Sequence, residues 1–141
     1  NIKYRVIPAP QNCPDYQLPA QNSDLPNFLR SALYQQLSLD RMPACFALQV
    51  QRQDPSRYMP LEDTSVEWSE QDSPFVTVAT LKVPPQDFDS REQNLFCDNL
   101  SYNPWHALPE HRPLGGINRL RQAVYLNVSA YRQQRNAASA P

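Results

Sequence analysis

The sequence predicts a protein of the α+β class. The prediction depends on short segments that alternate apolar and polar residues, on longer segments with apolar residues at helical spacing, and on a high proline content. Of the 141 residues, 15 are proline and only 2 are glycine. Because proline fixes φ and removes a backbone donor, we expect short elements joined by extended, irregular connections. A chain of this length suffices for one domain with a modest core.

Four segments have the pattern of a strand, with the strongest signal in the last. They are residues 2–7, 44–52, 64–68 and 75–83. The third is also compatible with an extended connection. Three or four strands with one apolar face can form an open sheet, whereas a barrel filled by side chains or a small ligand needs about eight strands. If the fold is a barrel, half of its strands lie outside this sequence.

Three segments have apolar residues at the spacing of a helix. The first two cover roughly residues 25–38 and 91–100, and the third follows Gly115-Gly116 and runs to about residue 134. Asp24 is the expected N-cap of the first helix, with Pro26 in its first turn, and Asp89 or Ser90 is the expected N-cap of the second. The third helix is expected to end in a frayed tail over residues 135–141.

Charge and cysteine content exclude several classes of function. The formal net charge of -1 does not favour nucleic acid or an anionic membrane as a partner, and no apolar run is long enough for a transmembrane segment. An odd number of widely spaced cysteines, Cys13, Cys45 and Cys97, predicts reduced thiols. Reduced thiols, together with the absence of a visible export signal, predict a cytoplasmic protein. The chain starts without Met in a strand pattern, so we expect it to begin inside a longer gene product.

The last predicted helix carries a stripe that mixes charged, phenolic and apolar side chains. At 3.6 residues per turn, one face presents Arg121, Tyr125, Val128 and Arg132. A phenol binds ferric iron as phenolate, and a nearby arginine favours that ionised form. Tyrosinate is an axial ligand of haem iron, and the second arginine is suited to a haem propionate. The commoner origin of this spacing is an arginine packed over a surface tyrosine.

Five segments, in this order, carry a family resemblance. They are ACFALQVQ, LEDTSVEWSEQDSPFVTVATLKVP, DSREQNLFCDNLSYNP, NPWHALPEHRPLGGINR and RQAVYLNVSAYR. The last fits the pattern RxxxYxxxxxxR, and together the segments resemble the haem-catalase superfamily, most closely its short bacterial catalase-like members. The chain departs from the family pattern at Pro84-Pro85, which replaces Asn-Arg, and after Tyr125, where LNVSAYR replaces a run with an Asp-Thr pair.

The resemblance implies a fold and a set of site residues. Residues 1–141 would be the C-terminal half of a catalase-type antiparallel β-barrel with flanking helices, including the proximal haem helix. Haem b would be the cofactor, with Tyr125 as the iron ligand and Arg121 as its hydrogen-bond partner. The remaining implied haem contacts are Arg132 at a propionate and, on the proximal face, Tyr102 and Pro104. No catalytic residue is expected here, because the family places its distal His and Asn upstream.

The resemblance also implies an activity and partners. The chain would be part of a haem oxidoreductase of the catalase or peroxidase type that cleaves hydrogen peroxide or an organic hydroperoxide, and it is not expected to be active alone. Alternatives are a fatty-acid hydroperoxide-rearranging enzyme, a haem-binding protein without turnover, and a non-catalytic fragment. The expected partner is the missing N-terminal half, as a separate chain or precursor, and unpaired strand edges favour an oligomer.

Other polar residues have simpler interpretations. His106 and His111 are expected to be loop histidines hydrogen-bonded to backbone, with His111 kept as an alternative axial ligand. Glu62, Asp63 and Glu67 are expected to form a solvated turn rather than a metal site.

Overall fold

One antiparallel sheet and three α-helices form the described part of the chain, which has the α+β class predicted from the sequence. The computed structural model describes residues 1–16 and 26–138. The strands are β1 (Ile2–Pro8), β2 (Ala44–Arg52) and β3 (Val76–Val83). The helices are α1 (Phe28–Tyr34), α2 (Arg91–Asn99) and α3 (Gly116–Ala138).

The chain divides into two compact units. The first joins Asn1–Met59 to Glu67–Asp89 and contains the sheet and α1. The second joins Pro60–Val66 to Ser90–Pro141 and contains α2 and α3.

Three of the four candidate strands form the sheet, with bounds within one residue of the prediction. The remaining candidate, residues 64–68, is not a strand. The reason is local, because Oδ1 of Asp63 accepts hydrogen bonds from the backbone nitrogen of Ser65 at 3.0 Å and from its hydroxyl at 2.6 Å. An aspartate that binds the backbone two residues on forms a turn and competes with extended structure.

The sheet has the order β1-β2-β3, so β2 is central and the other two strands are its edges. Both pairs are antiparallel. Between β2 and β3 the register shifts at Leu48/Gln49, where Ala79 pairs with Leu48 and Thr77 pairs with Gln49. Val78 is therefore the extra residue of a β-bulge on an edge strand, a common place for one.

The buried face of β2 does not carry its largest apolar side chains. The buried positions on this face are those of Cys45, Ala47 and Gln51. The alternate positions are half-buried, at Phe46, Leu48 and Val50. The side chain of Gln51 determines which face of β2 is covered. Its Nε2 donates to the carbonyl of Trp68 at 3.1 Å and to that of Ser73 at 2.8 Å. These bonds hold the segment around residues 68–73 over this face.

The other face of the sheet is apolar and open to solvent. Its exposed side chains come from both edge strands: Ile2, Tyr4 and Val6 of β1, and Val76 and Leu81 of β3. Val78 at the bulge is 54% exposed. An apolar sheet face normally packs against another layer, so this surface marks where the unit can associate.

The first helical segment begins later and ends differently from the prediction. The expected N-cap, Asp24, lies outside the described residues. The helix α1 follows Asn27, whose side chain makes no capping hydrogen bond, and continues into a π-helical turn over Gln35–Leu39. Leu37 in this turn is buried, and its carbonyl accepts from the backbone nitrogen of Gln86 at 3.2 Å.

The prediction of three reduced thiols is wrong for two of the cysteines. Cys13 and Cys45 form a disulfide across a sequence separation of 32, with Cα atoms 5.7 Å apart. The pairing follows from the chain path, since Ala9 donates its N–H to the carbonyl of Cys45 at 2.9 Å and brings the segment after β1 onto β2. Cys97 is a free, exposed thiol.

The second unit contains the two later helices near their predicted positions. Of the two candidate N-caps for α2, Ser90 is the one used, and its Oγ accepts from the backbone nitrogen of Gln93 at 3.2 Å. The last helix continues to Ala138, beyond the expected end at 134, and residues 139–141 lie outside the described range.

Two side-chain contacts explain why α3 extends past its expected end. Gln133 donates to the carbonyl of Asn99 at 2.9 Å, and Asn136 donates to Oδ1 of the same residue at 3.1 Å. The tail expected to fray begins at residue 135, so Asn136 lies within it and Gln133 lies just before it. Anchoring to the C-terminal end of α2 offsets the loss of intrahelical bonds at a helix end.

Candidate functional site

The structure brings Arg121 and Tyr125 together on α3. Nη2 of Arg121 donates to the phenol oxygen of Tyr125 at 3.0 Å, and the guanidinium carbon lies 5.1 Å from the ring centroid. Tyr125 is half-buried and Arg121 is exposed. The contact is a charge-assisted hydrogen bond from a guanidinium to a phenol oxygen.

Arg121 has a second contact on the same helix. Its Nη1 donates to Oδ1 of Asn118 at 3.4 Å. The backbone carbonyl of Asn118 accepts from Nε1 of Trp105 at 3.1 Å, which ties the proline-rich segment before α3 to the helix. The local surroundings of Tyr125 are thus built from both the helix and the preceding connection.

The start of α3 is held by a glutamate from the Pro60–Val66 segment. Oε2 of Glu62 accepts from the backbone nitrogen of Gly116 at 2.7 Å, and Oε1 accepts from Nη1 of Arg119 at 3.1 Å. The Gly116 N–H, and then the Arg119 guanidinium, hold the pKa of the Glu62 carboxyl below its usual value. Glu62 therefore acts as a remote cap for a helix whose first N–H groups lack intrahelical partners.

Two glycines allow this close approach. Gly115 has φ of 89°, a left-handed conformation that L residues rarely adopt, and a Cβ there would lie 3.2 Å from the carbonyl oxygen of Leu61. A Cβ at Gly116 would lie 3.1 Å from Oε2 of Glu62. The glycine pair therefore both starts the helix and makes room for its cap.

Arg132 lies on the same side of α3 as Tyr125, but its guanidinium binds a backbone carbonyl near the end of α2. Its Nη2 donates to the carbonyl of Leu100 at 2.8 Å, just beyond the end of α2. One turn earlier, Ser129 is buried and its Oγ lies 3.2 Å from Oγ of Ser101. A guanidinium has five N–H donors, and within residues 1–16 and 26–138 the side chain of Arg132 uses one of its nitrogens in this bond.

The residues expected to line the proximal face lie in the connection before α3. Tyr102 is 70% exposed and Pro104 is half-buried. Between them, Asn103 is buried and its Oδ1 accepts from the backbone nitrogen of Trp105 at 3.0 Å. The turn at this point is fixed by Asn103.

The two histidines lie in the same connection. His106 and His111 line an open hollow of about 570 Å³ with Ala107 and Leu108. The backbone nitrogen of His106 donates to Asn103, and that of His111 donates to Leu108, so each residue stands in a turn.

Two classes of feature are missing from the described part of the chain. Within residues 1–16 and 26–138, no group of three or more His, Cys, Asp or Glu side chains is arranged to hold a metal ion. None of the helices described there has both the length and the apolar character needed to cross a bilayer.

Polar donors and exposed apolar side chains lie close together along α3. Tyr125 offers a phenol oxygen next to a fixed cation, and Arg132 offers further N–H groups two turns later. Val128, on the same face as Tyr125, and Val124, one turn before it, are both exposed and make this side of α3 partly apolar.

Comparisons with known proteins found no matching family model, no matching curated protein and no matching solved structure. The candidate site therefore depends on the geometry of α3 and its surroundings.

Sequence reasoning found the Arg121–Tyr125 pair but missed the residues that support it. Glu62 is exposed in a bend, as expected, but its bond to Gly116, 54 residues away, was not predicted. Asn118 is three residues before Arg121, so helical spacing alone was a sufficient signal to find it. The indole N–H of Trp105, which anchors the connection to α3, lies 13 residues from its acceptor and carries no signal of helical spacing.

Proposed function

We propose that this chain is part of a haem-dependent enzyme that processes peroxides and that it supplies the proximal tyrosinate ligand. The single observation that supports this most is the 3.0 Å hydrogen bond from Arg121 to the phenol oxygen of Tyr125. The resemblance of the chain to the haem-catalase superfamily supports the same function. Haem iron would supply the redox chemistry that cleaves the O–O bond of hydrogen peroxide or an organic hydroperoxide.

The residues of this chain would act on the proximal side. Tyr125 would hold the iron as phenolate, and Arg121 would stabilise that negative charge because a guanidinium stays protonated when desolvated. Arg132 would bind a propionate through N–H groups that its bond to Leu100 leaves unused. Tyr102 and Pro104 would line the proximal haem face.

The acid–base group of the reaction would come from outside these residues. On the resemblance, a distal histidine and asparagine would lie in an N-terminal half of the barrel, either in a precursor or in a separate chain. Those strands would pair with the outer edges of β1 and β3, which are the ends of the strand order in the described part of the chain.

The direct test is the visible absorption spectrum of the chain after titration with ferric haem b. We expect a high-spin ferric spectrum that is lost or shifted in Tyr125→Phe, because phenylalanine removes the ligand oxygen and keeps the ring. Tyr131→Phe is the matched control, since Tyr131 lies on the same helix and is 62% exposed. Its spectrum should equal that of the unaltered chain.

Two outcomes would contradict the proposal. The first is a chain that takes up no haem even when the N-terminal half is supplied. The second is an identical haem spectrum in Tyr125→Phe, which would direct attention to His111 as the axial ligand. A haem spectrum without any consumption of peroxide by the completed protein would support the alternative of a haem-binding protein without turnover.

A further inference from the structure

We infer that Asn118 is a positioning residue for the Arg121–Tyr125 pair. Its Oδ1 accepts from Nη1 of Arg121 at 3.4 Å while Nη2 of the same guanidinium donates to the phenol oxygen at 3.0 Å. Asn118 thus holds the cation in the orientation that the phenol requires. The consequence for iron binding rests on the proposed function, whereas the contact between the side chains does not.

The orientation of the Asn118 amide is determined by a third contact. Its Nδ2 donates to the carbonyl of Leu114 at 2.6 Å. Only the NH₂ end of an asparagine can donate to a carbonyl, so Oδ1 is left to accept from Arg121. The backbone of Asn118 is also held, because its carbonyl accepts from the indole N–H of Trp105.

A second contact matters because Arg121 is long and exposed. Its side chain has many rotamers in solution, and a single bond to the phenol leaves the guanidinium plane free to turn about that bond. The contact of Nη1 with Asn118 fixes the plane of the guanidinium. The 3.4 Å distance is long for a hydrogen bond, but a charged donor strengthens such a contact relative to a neutral one.

The chain offers a matched control for Asn118 on the same helix. Asn127 donates its Nδ2 to the carbonyl of Ala123 at 2.8 Å, the same bond to the residue four positions earlier. Within the described ranges its side chain makes no hydrogen bond to an arginine. Asn118→Leu and Asn127→Leu therefore remove the same local bond, but only the first removes the acceptor for Arg121.

The first readout needs no haem. In NMR spectra of the full chain, we expect the nuclear Overhauser effects between the Arg121 side chain and the Tyr125 ring to fall at least twofold in Asn118→Leu. They should be unchanged in Asn127→Leu and in Asn118→Asp, which keeps an acceptor oxygen. Unchanged effects in Asn118→Leu, or equal losses in both leucine variants, would overturn the positioning role.

The second readout is the titration with ferric haem b. We expect Asn118→Leu to lower haem affinity on the order of tenfold and to weaken the tyrosinate charge-transfer absorption, as is usual for residues that orient a metal ligand. Asn127→Leu and Asn118→Asp should stay within about twofold of the unaltered chain.

The two readouts separate the failure of this inference from failure of the proposed function. If the unaltered chain takes up no haem under any condition, the proposed function fails and the NMR result alone decides whether Asn118 positions Arg121. If the NMR contact is lost in Asn118→Leu while haem affinity and absorption are unchanged, the role of Asn118 toward the iron ligand is overturned.

Discussion

Gln51 shows how one polar side chain decides which face of a strand is buried. It is fully buried, and its Nε2 contacts the carbonyls of Trp68, Ser69 and Ser73. Its Oε1 has no hydrogen-bond partner among the described residues. The two N–H groups of this amide are shared among the three carbonyls, and these bonds offset the cost of burying a polar group, since a buried unpaired carbonyl is expensive.

Replacing Gln51 should destabilise the first unit. We expect Gln51→Leu to lower the free energy of unfolding by about 1–3 kcal/mol, because it leaves buried carbonyls without their donor. Gln51→Glu should cost more at neutral pH, since it places a carboxylate against carbonyl oxygens. Urea unfolding followed by Trp68 fluorescence, in a Trp105→Phe background, measures the change.

A control for this prediction lies in the neighbouring turn. Gln71 is exposed, and Gln71→Leu should change the free energy of unfolding by less than about 0.5 kcal/mol. Equal stability of Gln51→Leu and the unaltered chain would show that the turn over residues 68–73 is held by other contacts.

At the scale of the element, α3 depends on a cap that comes from a distant segment. The N–H of Gly116 binds Glu62, and the pKa of Glu62 is lowered chiefly by that bond and then by Arg119. A carboxyl with a lower pKa in the folded state contributes stability above its unfolded pKa. That contribution is lost as the pH falls through the folded value.

The start of α3 should therefore loosen in acid. We expect the Gly116 amide proton to shift in one titration step below the ordinary glutamate value of 4.5, as protonated Glu62 gives up its charge-assisted bond. NMR spectra recorded against pH measure this step. It should be absent in Glu62→Gln and unchanged in Glu110→Gln, and a step that persists in Glu62→Gln would assign it to another group.

The first unit has its own long-range constraint in the Cys13–Cys45 disulfide. The loop that it closes spans 32 residues, and cross-linking a loop of that length removes conformational freedom from the unfolded chain. We expect the double variant Cys13→Ala, Cys45→Ala to lose about 3–4 kcal/mol of unfolding free energy.

Comparison of denaturation midpoints measures the effect of the disulfide. Cys97→Ala is the control, because Cys97 is a free, exposed thiol and its loss should be close to neutral. If 5 mM reductant and the double variant both leave the midpoint unchanged, the disulfide has no part in stability.

At the scale of the whole molecule, each unit leaves apolar side chains in contact with water. The first unit exposes one sheet face and the edges of β1 and β3. In the second unit, α3 uses polar residues such as Ser129 and Arg132 against the end of α2. Its exposed apolar stripe consists of Ile117, Leu120, Val124, Val128 and Tyr131. Surfaces of this kind favour association with further protein.

The isolated chain should therefore not behave as a monomer. We expect light scattering to give a mass above 16.2 kDa, with pairing through the uncapped edge of β3. Val78→Lys should lower the measured mass, because a charge within an edge strand opposes pairing. Tyr58→Lys, at an exposed loop position in the same unit, should leave the measured mass unchanged. A monodisperse monomer would contradict the prediction.

Much of the fold was predictable because its signals are local. Alternation located β1, β2 and β3 within one residue, and helical spacing located α2 and α3. The pairing of Arg121 with Tyr125 was predictable for the same reason, since residues four apart on a helix are neighbours. The implied haem contacts Arg132, Tyr102 and Pro104 stay predictions.

The features that join distant residues could be found only in the folded chain. The class of fold, the order of the elements and the Arg121–Tyr125 pair could be predicted from the amino-acid sequence, because these depend on geometry within a few residues. The Cys13–Cys45 bond, the cap that Glu62 provides and the buried face of β2 join residues 17 to 54 positions apart. Such contacts depend on the path of the whole chain, and no local periodicity encodes that path.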